Sequence, residues 1–270
     1  MPRALRYGMG WRSLEEFILA LEQRGELLRV SHPVDVELEA GCIADLLVKR
    51  GGPAVIFDQP RLGDGSISRY PLAMNLFGTR DRTNLALGVV EPKEIGEMMT
   101  GLMKPDIGGI LRRPWTGLRL LRQGISMAPR KVSRGKCQQV RMDNPDVTRL
   151  PIPTSWPQDG GPFMTLPLVV TSDPETGVHN LGMYRSQVFG PDEVGLHWQK
   201  HKHGADHAEA SDERMPVAIC LGGPPQVIFS AISPLPDNLS EYEFAGLLSG
   251  RRLKITKCLT NDLWVPADCD

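Results

Sequence analysis

Apolar residues recur at helical spacing near the start of the chain, at Leu14, Phe17, Ile18 and Leu21. Ser13-Leu-Glu-Glu16 in front of them has the form of a capping box: the serine hydroxyl can accept from the Glu16 amide while Glu16 reaches back. Gly25 ends that helix, and Glu26 to Ser31 reads as a strand. A second helix is predicted from about Glu37 to Arg50, with Ile43, Leu46 and Leu47 on one face and Gly51-Gly52 as its stop. Ala54 to Asp58 is a short apolar run of strand length, Arg61 to Ser68 has loop composition, and Pro71 to Asn75 reads as another strand. Two more helices, about Arg80 to Leu87 and Pro92 to Met103, complete a unit of alternating elements. That order predicts an N-terminal α/β domain over residues 1–110.

The pattern then changes. Residues 111–167 read as a connecting segment rich in proline and glycine with poor periodicity, and Pro151, Pro153, Pro157, Pro162 and Pro167 exclude a long helix among them. From 168 to 270 the texture is β. Leu168 to Thr171, Gly182 to Phe189, Val217 to Leu221 and Val227 to Phe229 are short apolar or alternating runs between turn residues. One helix is predicted at about Gly195 to Glu209, and another starts at Ser240-Glu-Tyr-Glu243, a second capping-box pattern. The fold class is therefore mixed, α/β in its first part and α+β in texture after it.

Composition narrows the function classes. The 270 residues carry a formal net charge of −1, which gives no overall field to draw in nucleic acid or anionic lipid. Cys42, Cys137, Cys220, Cys258 and Cys269 are scattered and odd in number, as expected of reduced thiols in a cytoplasmic protein. Met1 to Trp11 lacks the apolar stretch of a signal peptide, and no apolar run approaches transmembrane length.

Three constellations could carry chemistry. Four of the six histidines lie between His197 and His207, paired at four-residue spacing as His197 with His201 and His203 with His207. A zinc-hydrolase helix would place a glutamate within such a pair, and none is present, so a polar helix with solvated imidazoles stands beside the metal reading. Asn180-Leu-Gly-Met-Tyr-Arg185 is the second. Strict alternation would send Asn180 and Arg185 to opposite faces unless a bulge or the Gly182 backbone intervenes. Glu241 and Glu243 are the third, and a first-turn carboxylate is already accounted for by the helix dipole. Phosphate-binding glycine loops and a serine nucleophile elbow are absent from the sequence.

Five motifs in order carry a more specific signal: Asn75-Leu-Phe-Gly-Thr79 with Arg82, Leu150-Pro-Ile-Pro-Thr-Ser-Trp-Pro157, Asn180 to Arg185, Ser240 to Gly246, and Thr260-Asn-Asp-Leu-Trp-Val-Pro-Ala267. Together the chain resembles the UbiD family, reversible decarboxylases that use prenylated FMN. The resemblance implies an N-terminal α/β domain followed by a split β-barrel that binds the flavin, here incomplete at its C-terminus. It implies a divalent metal, manganese, with a potassium ion beside the flavin phosphate. Asn180, His201 and Glu241 would be the metal ligands, with His203 as a rival to His201. Met183, Tyr184, Arg185, His197, Trp198, Gln199, Lys202 and His203 would contact the cofactor, and some family members have Arg-Gly in place of Lys202-His203.

The resemblance also implies the reaction: carbon dioxide is lost from an aromatic or α,β-unsaturated acid, of which a 4-hydroxybenzoate is one type. The flavin serves as electron store, and Arg185 is the catalytic cation. A prenyl-FMN synthase would supply the cofactor, and the full-length form would be a homo-oligomer. Family members carry two carboxylates after the Val265-Pro-Ala267 segment, the second serving as proton donor, and Asp270 falls at the first of them. The expectation is a truncated chain, with a catalytically incompetent flavin- and metal-binding module as the alternative to a working decarboxylase.

Overall fold

The computed structural model describes residues 10–103, 114–200, 203–211, 214–236 and 239–269. Helix α1 (Leu14–Gln23) begins where the sequence places it, with Ser13 Oγ accepting from Glu16 N at 3.1 Å. The return bond lands one residue early: Glu16 Oε2 accepts from Arg12 N at 2.6 Å. Phe17 and Leu21 are fully buried on the inner face of α1. Strand β1 (Leu27–Val30) and strand β2 (Val34–Asp35) lead into α2 (Glu39–Lys49). The chain returns as β3 (Ala54–Phe57), which pairs in parallel with β1, as a crossover helix requires. Strand β4 (Pro60–Arg61) pairs with β2, and β5 (Leu72–Met74) runs antiparallel beside β3. Helix α3 (Arg80–Leu87), capped by Thr79, and helix α4 (Lys93–Met103) follow.

The segment read as lacking a long helix contains one, α5 (Pro114–Met127). The five prolines begin only at 151 and do not touch it, and Pro114 sits at its first position, where a missing N–H costs nothing. Its pattern misleads because Leu118, Leu121 and Ile125 are exposed. Strands β6 (Arg130–Val132), β7 (Phe163–Met164), β8 (Leu168–Ser172), β9 (His179–Met183), β10 (Ser186–Gly190) and β11 (Glu193–Leu196) come next. They are followed by α6 (His203–Glu209), β12 (Ala218–Cys220), α7 (Pro225–Ser230), α8 (Glu241–Ser249), β13 (Lys254–Lys257) and β14 (Trp264–Pro266).

Two expectations are corrected here. Residues 195 and 196 extend a hairpin strand paired with β10, and the helix starts only at His203, because cross-strand pairing overrides a weak helical pattern. Val227 to Phe229 is helical: a short apolar run buried on all sides does not distinguish strand from helix. The fold is the mixed α/β arrangement expected. Its second half holds three three-stranded sheets, ordered β11-β10-β7, β12-β8-β9 and β14-β13-β6, and strand pairing among the described residues closes no ring.

The main core lies where β8, β9, α7, α8, β13 and β14 meet, through Leu168, Val170, Leu181, Val227, Ala245 and Ile255. Each leucine, isoleucine or valine among them contributes about 1.5–3 kcal/mol on burial. An aromatic run from Phe17 to Phe77 to Phe229, with centroids 5.6 and 5.1 Å apart, joins this core to the N-terminal one. Polar ties cross the same seam: Trp11 Nε1 donates to Leu85 O at 3.0 Å and Gln226 Nε2 to Ala86 O at 2.9 Å. These contacts hold the second half against the N-terminal part, and β9 lies beside the start of α8.

Candidate functional site

A cavity of about 1140 Å³ opens where β9, the turn after it, α6 and the N-terminus of α8 converge. The two sides are joined directly, since Leu181 N donates to Glu241 Oε2 at 3.3 Å. Glu241 is the first residue of α8, whose capping box is complete: Ser240 Oγ accepts from Glu243 N, and Glu243 Oε2 accepts from Ser240 N. Glu243 is therefore committed to the cap. The Glu241 carboxyl is half-buried and raised above the usual range, chiefly by desolvation, against the lowering pull of backbone amides and of His203.

Asn180 is buried in β9 and gives both of its hydrogen bonds from Nδ2, to Thr171 Oγ1 at 3.4 Å and to Tyr184 Oη at 3.5 Å. Among the described residues no donor meets Asn180 Oδ1. Thr171 Oγ1 passes the chain on to His207 Nδ1 at 2.9 Å, and burial lowers the His207 pKa. Tyr184 Oη also accepts from Gly204 N at 3.3 Å, and its ring meets the edge of Trp198 at 4.7 Å. The closeness of this packing explains two glycines. A Cβ on Gly182 would lie 2.4 Å from the Tyr184 ring, and one on Gly204 would lie 2.2 Å from Trp198.

The question of which way Arg185 points has a simple answer. Strand β9 ends at Met183, Tyr184 and Arg185 turn the chain into a different sheet at Ser186, and alternation does not carry across that turn. Asn180 and Arg185 consequently line the same cavity. Arg185 Nη2 is 2.8 Å from Asp159 Oδ2, and its guanidinium carbon lies 3.7 Å over the Phe163 ring. His197 meets the same ring edge-on at 5.2 Å and donates its backbone N–H to Arg185 O.

Of the residues singled out by sequence, Asn180, Met183, Tyr184, Arg185, His197, Trp198, Gln199, His203 and Glu241 all line this cavity. His201 and Lys202 lie outside the described residues. The His197–His201 pair is not one face of a helix, because His197 precedes α6, whereas His203 and His207 do share α6. Among the described residues no three of His, Cys, Asp and Glu converge as a metal-binding group. Sequence reasoning missed Asp159, Phe163, Thr171 and His179. His179 donates from Nδ1 to Gly177 O and accepts from Trp264 N at Nε2, a neutral imidazole whose pKa burial lowers. Its place at the start of β9, one residue before Asn180, was the available signal.

Comparison with known proteins gives the following. Residues 130–270 match the 3-octaprenyl-4-hydroxybenzoate carboxy-lyase Rift-related domain (UbiD), and residues 18–100 match the N-terminal domain of the same carboxy-lyase. An uncharacterized protein of Archaeoglobus fulgidus is 41% identical over 266 residues, which are 97% of this chain and 54% of that protein. The chain is similar to an evolved dimeric form of the UbiD-class enzyme HmfF from Pelotomaculum thermopropionicum in complex with prFMN. The TM-score is 0.78 at 25% identity, covering 96% of this chain and 56% of that one. It is also similar to the closed form of vanillic acid decarboxylase from Sedimentibacter hydroxybenzoicus, with a TM-score of 0.80 at 29% identity over 96% and 53% of the two chains. The chain thus spans about half the length of the relatives it matches. Among the described residues no helix is long and apolar enough to cross a membrane.

Proposed function

The chain belongs to the 3-octaprenyl-4-hydroxybenzoate carboxy-lyase (UbiD) family, and from that premise we propose that its large cavity holds prenylated FMN for the non-oxidative, reversible decarboxylation of an aromatic or α,β-unsaturated acid. The observation that carries this reading is the gathering of Asn180, Tyr184, Arg185, Trp198 and Glu241 around one cavity. A volume of about 1140 Å³ has room for a flavin together with a small acid.

The donor set suits a hard dication. Asn180 Oδ1 meets no donor among the described residues, and Glu241 is a desolvated carboxylate whose charge a cation would compensate. Asn180 and Glu241, with His201 as the family resemblance implies, would hold manganese beside the flavin phosphate, and potassium would add to the neutralisation. His203 and Lys202 belong to that phosphate side by the same resemblance. When bound, prenylated FMN supplies the electron sink that makes loss of carbon dioxide feasible.

The chain's own residues do the positioning. Tyr184, wedged by Trp198, fixes the Asn180 amide, and Thr171 accepts a second bond from the same amide nitrogen. Arg185 is a permanent cation at the wall that can take a carboxylate through two parallel N–H bonds. Phe163 shields one face of that cation from water. The reading includes a prenyl-FMN synthase as the source of the cofactor and a homo-oligomer as the full-length assembly.

Coexpression of the chain with a prenyl-FMN synthase tests this. Purified protein with flavin absorbance that releases carbon dioxide from a hydroxybenzoate or cinnamate is the expected outcome. Flavin held without turnover would reduce the chain to a cofactor-binding module. Protein that takes up no flavin would refute the reading.

A further inference from the structure

Arg185 does not stand alone in the cavity wall. Its Nη2 meets Asp159 Oδ2 at 2.8 Å, and Asp159 is the only acceptor the Arg185 side chain finds among the described residues. Asp159 is more sheltered than its partner, with its side chain 11% exposed against 41% for Arg185. The carboxylate is itself anchored: Oδ2 also accepts from Trp156 N at 3.2 Å, and Asp159 N donates to Trp156 O at 3.0 Å. The loop that carries it is pinned along β10 by Gln187 Nε2, which donates to Gly160 O at 2.8 Å, and by Val188 N, which donates to Pro162 O at 3.0 Å. That same loop leads into Phe163, the ring on which the guanidinium lies. The Arg185 hydrogen bond in turn keeps the Asp159 carboxyl below the usual range. Asp159 also lines a second cavity of about 560 Å³, between residues 36–38 and 62–64 of the N-terminal part and residues 147–162, so the ion pair stands between two spaces.

We propose that Asp159 is a positioning residue for Arg185: its carboxylate clamps one edge of the guanidinium flat on Phe163 and leaves the rest of the donor fork to receive the carboxylate of the acid substrate. This rests on the proposed function for what Arg185 binds, but not for how Arg185 is held. Without the clamp a 41%-exposed guanidinium on a flexible stem samples several directions, and the productive one is only a fraction of them. Removing Asp159 also removes a negative charge next to the cation, so attraction for an anionic substrate does not fall. The signature is a loss in kcat without a rise in KM, the reverse of losing a binding group.

Two readouts test this on the full chain. Side-chain NMR of arginine-labelled protein, with the Arg185 signal assigned by Arg185→Lys, shows whether that guanidinium is held or rotating. Wild type and Asp159→Glu should show it held, and Asp159→Asn should show it rotating. On protein loaded with prenylated FMN, Asp159→Asn should lower kcat on the order of 10- to 100-fold, with Asp159→Glu recovering most of it. KM for 4-hydroxybenzoate should change by less than about threefold. A held guanidinium in Asp159→Asn, or unchanged kcat, overturns the proposal. Wild-type protein that takes up no flavin overturns the proposed function instead, and the NMR comparison then decides the role of Asp159 by itself.

Discussion

Gly182→Ala should damage the site through Tyr184. The new Cβ would lie 2.4 Å from Cε2, 2.5 Å from Cζ and 2.6 Å from Oη of that ring, against roughly 3.5–4 Å for a comfortable contact. The ring is buried and wedged by Trp198, so it must move by about 1 Å or more, and overpacking of this kind costs about 1–3 kcal/mol. Movement also stretches two already long hydrogen bonds, to Gly204 N and Asn180 Nδ2, and each carries about 0.5–1 kcal/mol net. Against this, alanine in a strand recovers about 0.5–1 kcal/mol of backbone entropy relative to glycine. The net expectation is a loss of about 1.5–3 kcal/mol, a fall in Tm of roughly 3–12 °C for a chain of this size. Differential scanning calorimetry on the two single variants and the double variant forms the assay. In a Tyr184→Ala background the same glycine change should cost less than about 0.5 kcal/mol, giving a coupling of about 1 kcal/mol or more. An equal penalty in both backgrounds would show that the ring is not what Gly182 makes room for.

Glu241→Gln should stabilise the metal-free protein at neutral pH. A carboxyl whose folded pKa is raised contributes full stability below its unfolded value near 4.5 and loses it as pH rises through the folded value, so the Tm gap to the glutamine variant should widen as pH increases from about 4.5. Added manganese should reverse the order by stabilising only the wild type, and a pH-independent gap would contradict the assignment. Burial pushes Cys258 up to about 11, with Cys220 and Cys137 adding to it, which leaves only about one thiolate in a thousand at pH 8. Mass spectrometry after iodoacetamide treatment should show exposed Cys42 labelled far sooner than Cys258, and equal rates would refute the burial account. Arg82 is 2% exposed and gives Nη1 to Gly52 O and Nη2 to Asn75 O, so Arg82→Lys should cost about 1–3 kcal/mol in urea unfolding. An unchanged midpoint would show that the two-pronged grip is dispensable.

Sequence reading placed the elements up to Met103 closely, and two of the helices there carry clear end signals: Ser13 and Thr79 start α1 and α3, and Gly88 ends α3. It failed where tertiary contacts decide. Gly195 and Leu196 are strand because β10 offers them partners, and Val227 lies in a short helix whose all-round burial leaves no periodicity to tell it from a strand. Helix α5 was hidden by apolar residues that face outward. At the site, the cavity residues named from motifs were legible, while Asp159 and Phe163 were not. Their roles depend on a loop folding back along β10, a contact that no local spacing encodes.

The central claim, that the cavity beside Asn180 and Glu241 is a metal-assisted flavin site, is tested most directly by titrating the full chain with FMN, with and without manganese, and following flavin fluorescence. The account predicts saturation at one flavin per chain, tightened by manganese, with the manganese effect lost in an Asn180→Ala, Glu241→Gln double variant that still folds. Saturation by the double variant with the same affinity and the same response to manganese would contradict it.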